Sequence, residues 1–176
     1  MSTVLQLLPY DSRWPAKFAA ESTRIAQALG TDVLAIEHVG STAVPGLPGK
    51  PVLDMALAVE NIARADACIT RLQLLDYEYR GLNGDDPQRR YYVRAIAGQR
   101  IAQLHLYIMP ALAWDELLAF RDALRRDPDL AAASATEKRR AADAVQWDKS
   151  AYSIEKGHFV QAALQELRRT GWLRLA

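Results

Sequence analysis

One stretch of twelve residues, 40–51, constrains the fold of this chain more than any other part of its sequence. It holds three glycines and three prolines, so it cannot form the interior of a regular helix or strand. Apolar, β-rich runs precede it at 33–39 and follow it at 52–59. The sequence therefore predicts two strands joined by an irregular loop.

Helical and strand patterns also account for the rest of the chain. The other predicted elements are helices at 13–29 and 61–75, strands at 77–80, 89–97 and 101–108, and a last helix at 150–169. Beyond residue 110 the pattern is helical throughout. We therefore predict a single α+β domain over residues 1–176, with an α+β core at 1–110 and a helical tail at 111–176.

Charge and hydropathy narrow the class of protein. The chain has 22 basic and 21 acidic residues, a balance that argues against a general electrostatic grip on nucleic acid. No apolar run approaches the roughly 18 residues that a membrane span needs, and the N-terminal residues lack a signal-peptide pattern. We expect a cytoplasmic protein that acts on small molecules, without nucleic-acid or membrane partners; its oligomeric state stays open.

The strands at 89–97 and 101–108 are expected to form a hairpin that turns at Gly98-Gln99. In that register, one face of the sheet carries Arg90, Tyr92, Arg94, Gln103, His105 and Tyr107. The alternating set is almost wholly apolar and is expected to pack on helices. Guanidinium and phenol groups suit an anionic ligand such as a phosphate, although a polar face that only contacts solvent is the alternative.

Asp54 carries the only carboxylate within the strand at 52–59. Its neighbour Met55 belongs to the core-facing set, so the Asp54 side chain is expected on the opposite face, beside Ala56. A carboxylate on an apolar strand needs a partner, because burial without one is costly. The candidate partners are a metal ion, Lys50, Arg90 and Arg94, and a surface position on an edge strand is the alternative.

The last predicted helix offers a further candidate for ligand binding. Tyr152, Lys156 and Phe159 share one face of this helix. A lysine on an apolar face either extends to the solvent at its edge or points into a cleft beside Tyr152, where it would meet a phosphate.

Residues 36–54, IEHVGSTAVPGLPGKPVLD, closely resemble the signature of the GrpB family, a branch of the nucleotidyltransferase superfamily. Further matches are Pro9-Tyr10-Asp11, Arg13-Trp14-Pro15, Leu104-His105-Leu106, Phe120-Arg121-Asp122, Leu124-Arg125, Tyr152, Lys156 and Phe159. The resemblance implies a nucleotidyltransferase-like mixed sheet with helices on one face, an active cleft on the other, and C-terminal helices that close the cleft.

The resemblance also implies a phosphate-binding loop. In that superfamily a Gly-Ser pair after the first core strand binds nucleotide phosphates, and Gly40, Ser41 and Thr42 match this position. Glycine admits a close approach of the backbone, and exposed amides together with a hydroxyl donate to the anion. Lys50, at the other end of the loop, would add positive charge.

Catalytic carboxylates follow from the same resemblance, with one departure. Asp54 would anchor a divalent metal ion, Mg²⁺ or alternatively Mn²⁺ or another divalent ion. The superfamily has a second carboxylate two residues later, where this chain has Ala56, and His105 stands where a third is expected. Between two adjacent residues, Glu37 is preferred to His38 as a metal or acceptor-hydroxyl partner.

These residues predict the transfer of a nucleotidyl group from a nucleoside triphosphate to an unidentified small acceptor. The predicted catalytic residues are Glu37, Asp54 and His105, and the predicted substrate-binding residues are Gly40, Ser41, Thr42, Lys50, Arg90, Tyr92, Arg94, Tyr152 and Lys156. The departure at Ala56 favours an alternative, a catalytically degenerate nucleotide- or phosphate-binding module like the domain fused to dephospho-coenzyme A kinases. A hydrolase or phosphotransferase with His105 as general base is a third hypothesis.

Overall fold

A computed structural model of the chain describes residues 6–82, 86–145 and 148–173, without the side chains of 149–151 and 153–156. The helices are α1 (Trp14–Leu29), α2 (Ile62–Gln73), α3 (Leu112–Arg126), α4 (Pro128–Ala144) and α5 (Lys149–Arg169). The strands are β1 (Ala35–Val39), β2 (Leu53–Val59), β3 (Tyr77–Tyr79), β4 (Arg89–Ile96) and β5 (Gln99–Ile108).

The five strands form one mixed sheet in the order β1-β2-β5-β4-β3. The central strands β2 and β5 are parallel, whereas the other three pairs are antiparallel. The predicted α+β class with a mixed sheet is therefore confirmed. Within the described ranges, we find no helix whose length and apolar content suffice to cross a lipid bilayer.

Helices α1 and α2 cover one face of the sheet. The core on this face includes Leu29 from α1, Cys68 and Leu72 from α2, and Met55 and Leu104 from the central strands. The burial of these apolar side chains is the main source of stability. Burial also raises the pKa of the Cys68 thiol to about 11, so this cysteine packs as a small apolar group.

Helix α3 covers only part of the opposite face. Trp114 of α3 packs edge-on against Tyr107 of β5, with ring centroids 5.8 Å apart, and belongs to the same apolar cluster as Ala56 and Ala58 of β2. Helices α4 and α5 pack in turn on α3. The sheet surface around Asp54 is left as the floor of a hollow.

The hairpin between β4 and β5 turns one residue earlier than the sequence predicts. Ile96 pairs with Gln99, and the two loop residues are Ala97 and Gly98, with φ values of 49° and 78°. Positive φ at both central residues is typical of a type I′ turn. Moving the turn by one residue changes the strand pairing by two positions, which leaves every β4 side chain on its predicted face.

A β-bulge next to this turn exchanges the two faces of β4. Ala95 pairs with Arg100, but Arg94 pairs with Ala102, so Ile101 is the extra residue. A shift of one position sends each side chain of β4 to the other face. Arg89, Tyr91 and Val93 therefore lie on the same face of the sheet as His105.

The prediction that Arg90, Tyr92 and Arg94 face the ligand side is consequently wrong. Tyr92 lies in the core beneath the helices. Arg90 is buried and bonds Asp66 of α2 at 3.2 Å, and Arg94 approaches Glu21 of α1 at 3.4 Å. On β5, by contrast, the predicted faces are correct.

Candidate functional site

A hollow of about 370 Å³ lies on the sheet face opposite α1 and α2, and we call it the cleft. Strands β2, β4 and β5 contribute to its lining together with the loop after β1, α3 and α5. Six residues predicted from the sequence line it: Gly40, Ser41, Lys50, Asp54, His105 and Tyr152. Side chains from distant parts of the chain thus meet in one cavity.

Gly40 brings the backbone of the loop directly against Asp54. Its φ is 69°, in the left-handed region that favours glycine. A Cβ atom at this position would lie 2.6 Å from Oδ2 and 2.9 Å from Cβ of Asp54. Only glycine therefore allows the loop to pass this close to the carboxylate.

Ser41 is held by a lysine that the sequence analysis missed. Lys138 of α4 is buried, and its Nζ donates to Oγ of Ser41 at 2.7 Å and to the carbonyl of Pro48 at 3.0 Å. Lys138 lies in an alanine-rich helix that carries no local motif, so nothing in the sequence indicates this contact. The fold thereby adds an ammonium group beside the predicted phosphate loop.

The loop is braced from the side that faces away from the cleft. The ring nitrogen Nε2 of His38 lies 2.9 Å from Oγ1 of Thr42. Arg121 donates to the carbonyl of His38 at 3.1 Å, and Arg125 donates to the carbonyl of Ala43 at 2.8 Å. The N-terminal end of the loop is thus fixed to α3, while the side chain of Thr42 bonds His38 and does not line the cleft.

Asp54 is oriented by a neutral amide. Nε2 of Gln103 donates to Oδ1 of Asp54 at 2.8 Å. Oε1 of the same amide accepts from the hydroxyl of Tyr91 and from Arg100, the latter at 3.2 Å. The sequence predicts Gln103 on this face, but it does not predict the hydrogen bond to Asp54.

His105 lies beside Ala56 in the parallel register of β2 and β5. Its ring is 5.0 Å from that of Tyr91 between centroids. Burial lowers the pKa of His105 to about 4, and the positive charge of Arg89 contributes to this shift. The imidazole is therefore neutral at pH 7.

Arg89 is the second residue that the sequence analysis missed. Its Nη2 donates to the hydroxyl of Tyr107 at 3.2 Å, and its guanidinium carbon lies 5.0 Å from the centre of the Tyr107 ring. Its Nε is buried and has no hydrogen-bond partner among the described residues. In the observed hairpin register, Arg89 lies on the same face as Tyr107. A sequence prediction with this register would have identified Arg89.

Lys50 and Tyr152 meet at the wall of the cleft. Nζ of Lys50 lies 4.8 Å from the centre of the Tyr152 ring, a cation–π distance. Burial raises the pKa of Tyr152 to about 12, so its hydroxyl stays protonated. The side chain of Lys156, predicted beside it, lies outside the described residues.

Glu37 shares a sheet face with Asp54 but is not brought into the cleft. In the antiparallel register Glu37 pairs with Ala56, so Glu37 lies on the face of Asp54 and His38 on the other. Its carboxylate, however, bonds Arg121 at 2.6 Å and lines a neighbouring hollow. The expected convergence of Glu37 and Asp54 on one metal site is therefore not seen.

The donor set of the cleft does not fit a pair of metal ions held by the protein. Asp54 is the only carboxylate among the described residues that line it. In the part of the chain that the structure describes, no group of three or more His, Cys, Asp or Glu side chains is arranged to hold a metal. One carboxylate fits a single Mg²⁺ that shares its remaining positions with substrate phosphates and water.

The fold and the cleft define a protein of the nucleotidyltransferase fold. The chain is similar to the Cid1 poly(U) polymerase with a TM-score of 0.53 and 15% identity, over 78% of this chain and 43% of that one. At this identity the likeness concerns the fold alone. The family model described as "GrpB protein" matches residues 4–166, and the chain belongs to the GrpB family.

Relatives agree with this assignment. A UPF0157 protein of Pseudomonas aeruginosa is 36% identical over 161 residues, which are 91% of this chain and 66% of that relative. The crystal structure of a conserved GrpB protein from Enterococcus faecalis has a TM-score of 0.80 and 29% identity, covering 92% of this chain and 98% of that one. A dephospho-CoA kinase of Mycolicibacterium paratuberculosis is 29% identical, and the chain spans 48% of its length.

Proposed function

We propose that this protein binds the phosphate chain of a nucleoside triphosphate in the cleft. The observation that carries this proposal is the convergence of Gly40, Ser41, Lys50 and Asp54 on one cavity. A glycine-serine turn presents backbone amides and a hydroxyl, which are suitable donors for phosphate oxygens. The ammonium group of Lys50 supports the same ligand class, and Lys138, which lines a neighbouring hollow, holds the Ser41 hydroxyl.

The charge of the cleft supports an anionic ligand. Its described lining contains two cations, Lys50 and Arg89, and one carboxylate, Asp54, while His105 is neutral at pH 7. A cavity with excess positive charge attracts an anion and strengthens its hydrogen bonds where water is excluded. A single Mg²⁺ held by Asp54 and the substrate phosphates would offset part of the ligand's negative charge.

Isothermal titration of the protein with ATP, GTP, CTP and UTP in the presence of Mg²⁺ tests this proposal. We expect one nucleotide per chain and an affinity at least about tenfold weaker in Lys50→Gln, since a charge-assisted contact contributes about 1.5–3 kcal/mol. Lys17→Gln is the matched control, because Lys17 lies on α1 and pairs with Asp11 outside the cleft. Absence of binding by any of the four nucleotides would refute the proposal.

Nucleotidyl transfer is the second candidate function, and His105 favours it. A neutral imidazole in the cleft can accept the proton of an acceptor hydroxyl as its oxygen attacks the α-phosphorus. The bond from the α-phosphorus to the bridging oxygen then breaks, and pyrophosphate leaves with that electron pair. In this mechanism Gly40, Ser41 and Lys50 stabilise the charge on the phosphates.

Release of pyrophosphate in the presence of a panel of hydroxylated acceptors tests transfer. We expect His105→Gln to lower the rate by about 10²-fold or more while leaving nucleotide affinity nearly unchanged. Full activity in Asp54→Asn would exclude a role for that carboxylate. Nucleotide binding without turnover on any acceptor would instead favour an accessory module, a role suggested by the similarity to a dephospho-CoA kinase.

A further inference from the structure

We infer that Arg89 and Tyr107 form a second anion subsite, which takes a carboxylate or phosphate group of the acceptor molecule. This inference rests on the proposed function, since it assigns the nucleotide phosphates to the Gly40–Ser41 end of the cleft. The acceptor would then be a small hydroxylated anion.

The hydrogen-bonding capacity of Arg89 is largely unused by the described residues. One bond joins its Nη2 to the hydroxyl of Tyr107, and its Nε is buried without a partner among them. A buried donor without an acceptor costs about 1–3 kcal/mol. An anionic group in the cleft would offer acceptors to the guanidinium, which presents a planar fork that matches two oxygens.

Tyr107 gives this subsite a second donor and a rigid base. Burial raises the pKa of the Tyr107 phenol, so its hydroxyl remains protonated and can donate to an anion while it accepts from Arg89. The Tyr107 ring is fixed by Trp114 on one side and lies beneath the guanidinium on the other. Both donors are therefore preorganised before any ligand arrives.

The position of Arg89 separates it from the phosphate loop. Asp54 pairs with Gln103 on β5, whereas Arg89 pairs with Tyr107. These β5 positions are four residues apart, or about 13 Å at about 3.3 Å per residue. The backbone at Arg89 and Tyr107 therefore lies well beyond the reach of a hydrogen bond, about 3 Å, from the backbone at Asp54.

His105 lies between the two ends. It precedes Tyr107 by two residues on the same face of β5, a separation of about 7 Å. An acceptor whose anionic group binds Arg89 and Tyr107 would therefore present a hydroxyl a few bonds away to the neutral imidazole. This spacing favours hydroxy acids and sugar phosphates over acceptors that lack a negative charge.

Titration calorimetry with the nucleotide site already occupied tests the subsite. The wild-type chain is saturated with α,β-methylene-ATP and Mg²⁺ and then titrated separately with inorganic phosphate and with malonate, which distinguishes a phosphate from a carboxylate preference. We expect one equivalent of at least one probe to bind to the nucleotide-saturated wild-type chain. The affinity for this probe should be weaker by about tenfold or more in Arg89→Gln and intermediate in Arg89→Lys. Arg169→Gln, an exposed arginine on α5 paired with Glu166, is the matched control.

The outcomes separate this inference from the proposed function. Arg89-dependent binding of a probe together with nucleotide binding by the wild-type chain supports both. Arg89-dependent binding in a chain that binds no nucleotide supports the subsite and refutes the proposed function. Competition between probe and nucleotide, probe affinity unaffected by Arg89→Gln, or no binding of either probe overturns the subsite. If Arg89→Gln does not fold, Tyr107→Phe replaces it, with the same expected loss of probe binding.

Discussion

The arginines on the two faces of β4 have different surroundings. On the face covered by α1 and α2, Arg90 pairs with Asp66 and Arg94 with Glu21. On the cleft face, Arg89 bonds the phenol of Tyr107 and pairs with no carboxylate among the described residues. Adjacent residues of one strand thus carry the same charge, but among the described residues carboxylates pair with it only on the helix-covered face.

This difference indicates which charge is structural and which is available to a ligand. Charged groups that leave water need a partner of opposite charge or several hydrogen bonds. The helices supply carboxylates to Arg90 and Arg94, whereas the cleft offers Arg89 mainly neutral groups. We therefore expect substitutions on the helix face to change stability and substitutions on the cleft face to change binding.

The largest expected effect on stability concerns the loop at the cleft. Gly40→Ala places a Cβ 2.6 Å from Oδ2 of Asp54 in a residue with φ of 69°. A non-glycine residue at this φ, with ψ of −166°, costs about 1–3 kcal/mol, and overpacking adds about 1–3 kcal/mol. We expect urea denaturation to show a loss of about 2–6 kcal/mol.

Gly46→Ala separates these two contributions. Gly46 has φ of 79°, but a Cβ there would have no atom within 4 Å. We expect this variant to lose only the backbone part, about 1–2 kcal/mol. Equal losses in the two variants would show that the close contact between the loop and Asp54 is not important for stability.

The next largest expected effect on stability concerns two imidazoles, that of His38 on the helix-covered face and that of His105 on the cleft face. Burial lowers the pKa of His38 to about 4, with a contribution from Arg125 and Arg121, and burial lowers that of His105 to about 4 as well. The unfolded value is about 6.5, so the unfolded chain binds more protons between pH 6.5 and pH 4. The contribution of the two neutral imidazoles to the free energy of unfolding is therefore fully present above pH 6.5. It decreases as the pH falls through this window.

Urea denaturation at pH 7 and pH 5 measures this loss. We expect up to about 2 kcal/mol for each imidazole, from 1.5 pH units at about 1.4 kcal/mol per unit. His38→Gln and His105→Gln should each remove about half of the difference. Added inorganic phosphate should distinguish the two histidines. An anion near Arg89 should raise the pKa of His105 and leave the pKa of His38 unchanged. A pH difference that is the same in wild type and both variants would contradict the assignment.

Substitution of adjacent arginines compares the two faces directly. Arg90 donates to Asp66 and to the carbonyl of Pro87, the latter at 2.6 Å, so Arg90→Gln should cost about 2 kcal/mol of stability. Arg89→Gln should cost less, because it removes one bond to a phenol and also removes the buried Nε that has no partner among the described residues. Thermal and urea denaturation of both variants measure this difference, and a larger loss for Arg89→Gln would reverse the interpretation of the faces.

The smallest effect is expected from adjacent tyrosines. The Tyr92 hydroxyl is buried and has no hydrogen-bond partner among the described residues, so Tyr92→Phe should leave the free energy of unfolding unchanged or raise it by up to about 1 kcal/mol. The Tyr91 hydroxyl bonds Gln103 and Arg100, and Tyr91→Phe should cost about 1 kcal/mol. If Tyr92→Phe proved the more damaging of the pair, the bulged register would be incorrect.

The predictable part of the site lies on strands with unbroken alternation. The alternation along β2 places Asp54 on the face opposite to that of the core residues Met55 and Leu57, and the structure agrees. The same holds for His105 on β5, which lies between the core residues Leu104 and Leu106. The glycines and prolines of 40–51 likewise predict the irregular loop, because they exclude regular structure there.

The unpredictable part depends on a single extra residue and on contacts between distant segments. The bulge at Ile101 moves Arg89 into the cleft and Arg90 out of it, although nothing in the local sequence marks the bulge. Lys138 and Arg121 reach the loop from α4 and α3, across more than 80 residues of sequence. Helical periodicity predicts which side chains share a face of a helix, but not which loop that face will meet.

The amino-acid sequence alone thus determined the class of fold, the irregular loop and the side of the sheet on which Asp54 and His105 lie. These features follow from local rules, since alternation and backbone preference act between residues that are near in the chain. Only the tertiary structure decided that Arg89 rather than Arg90 faces the cleft, that Glu37 is paired with Arg121, and that Lys138 supports Ser41. Strand register and helix docking depend on the packing of the whole domain, and a shift of one residue is enough to exchange the side chains that a ligand would meet.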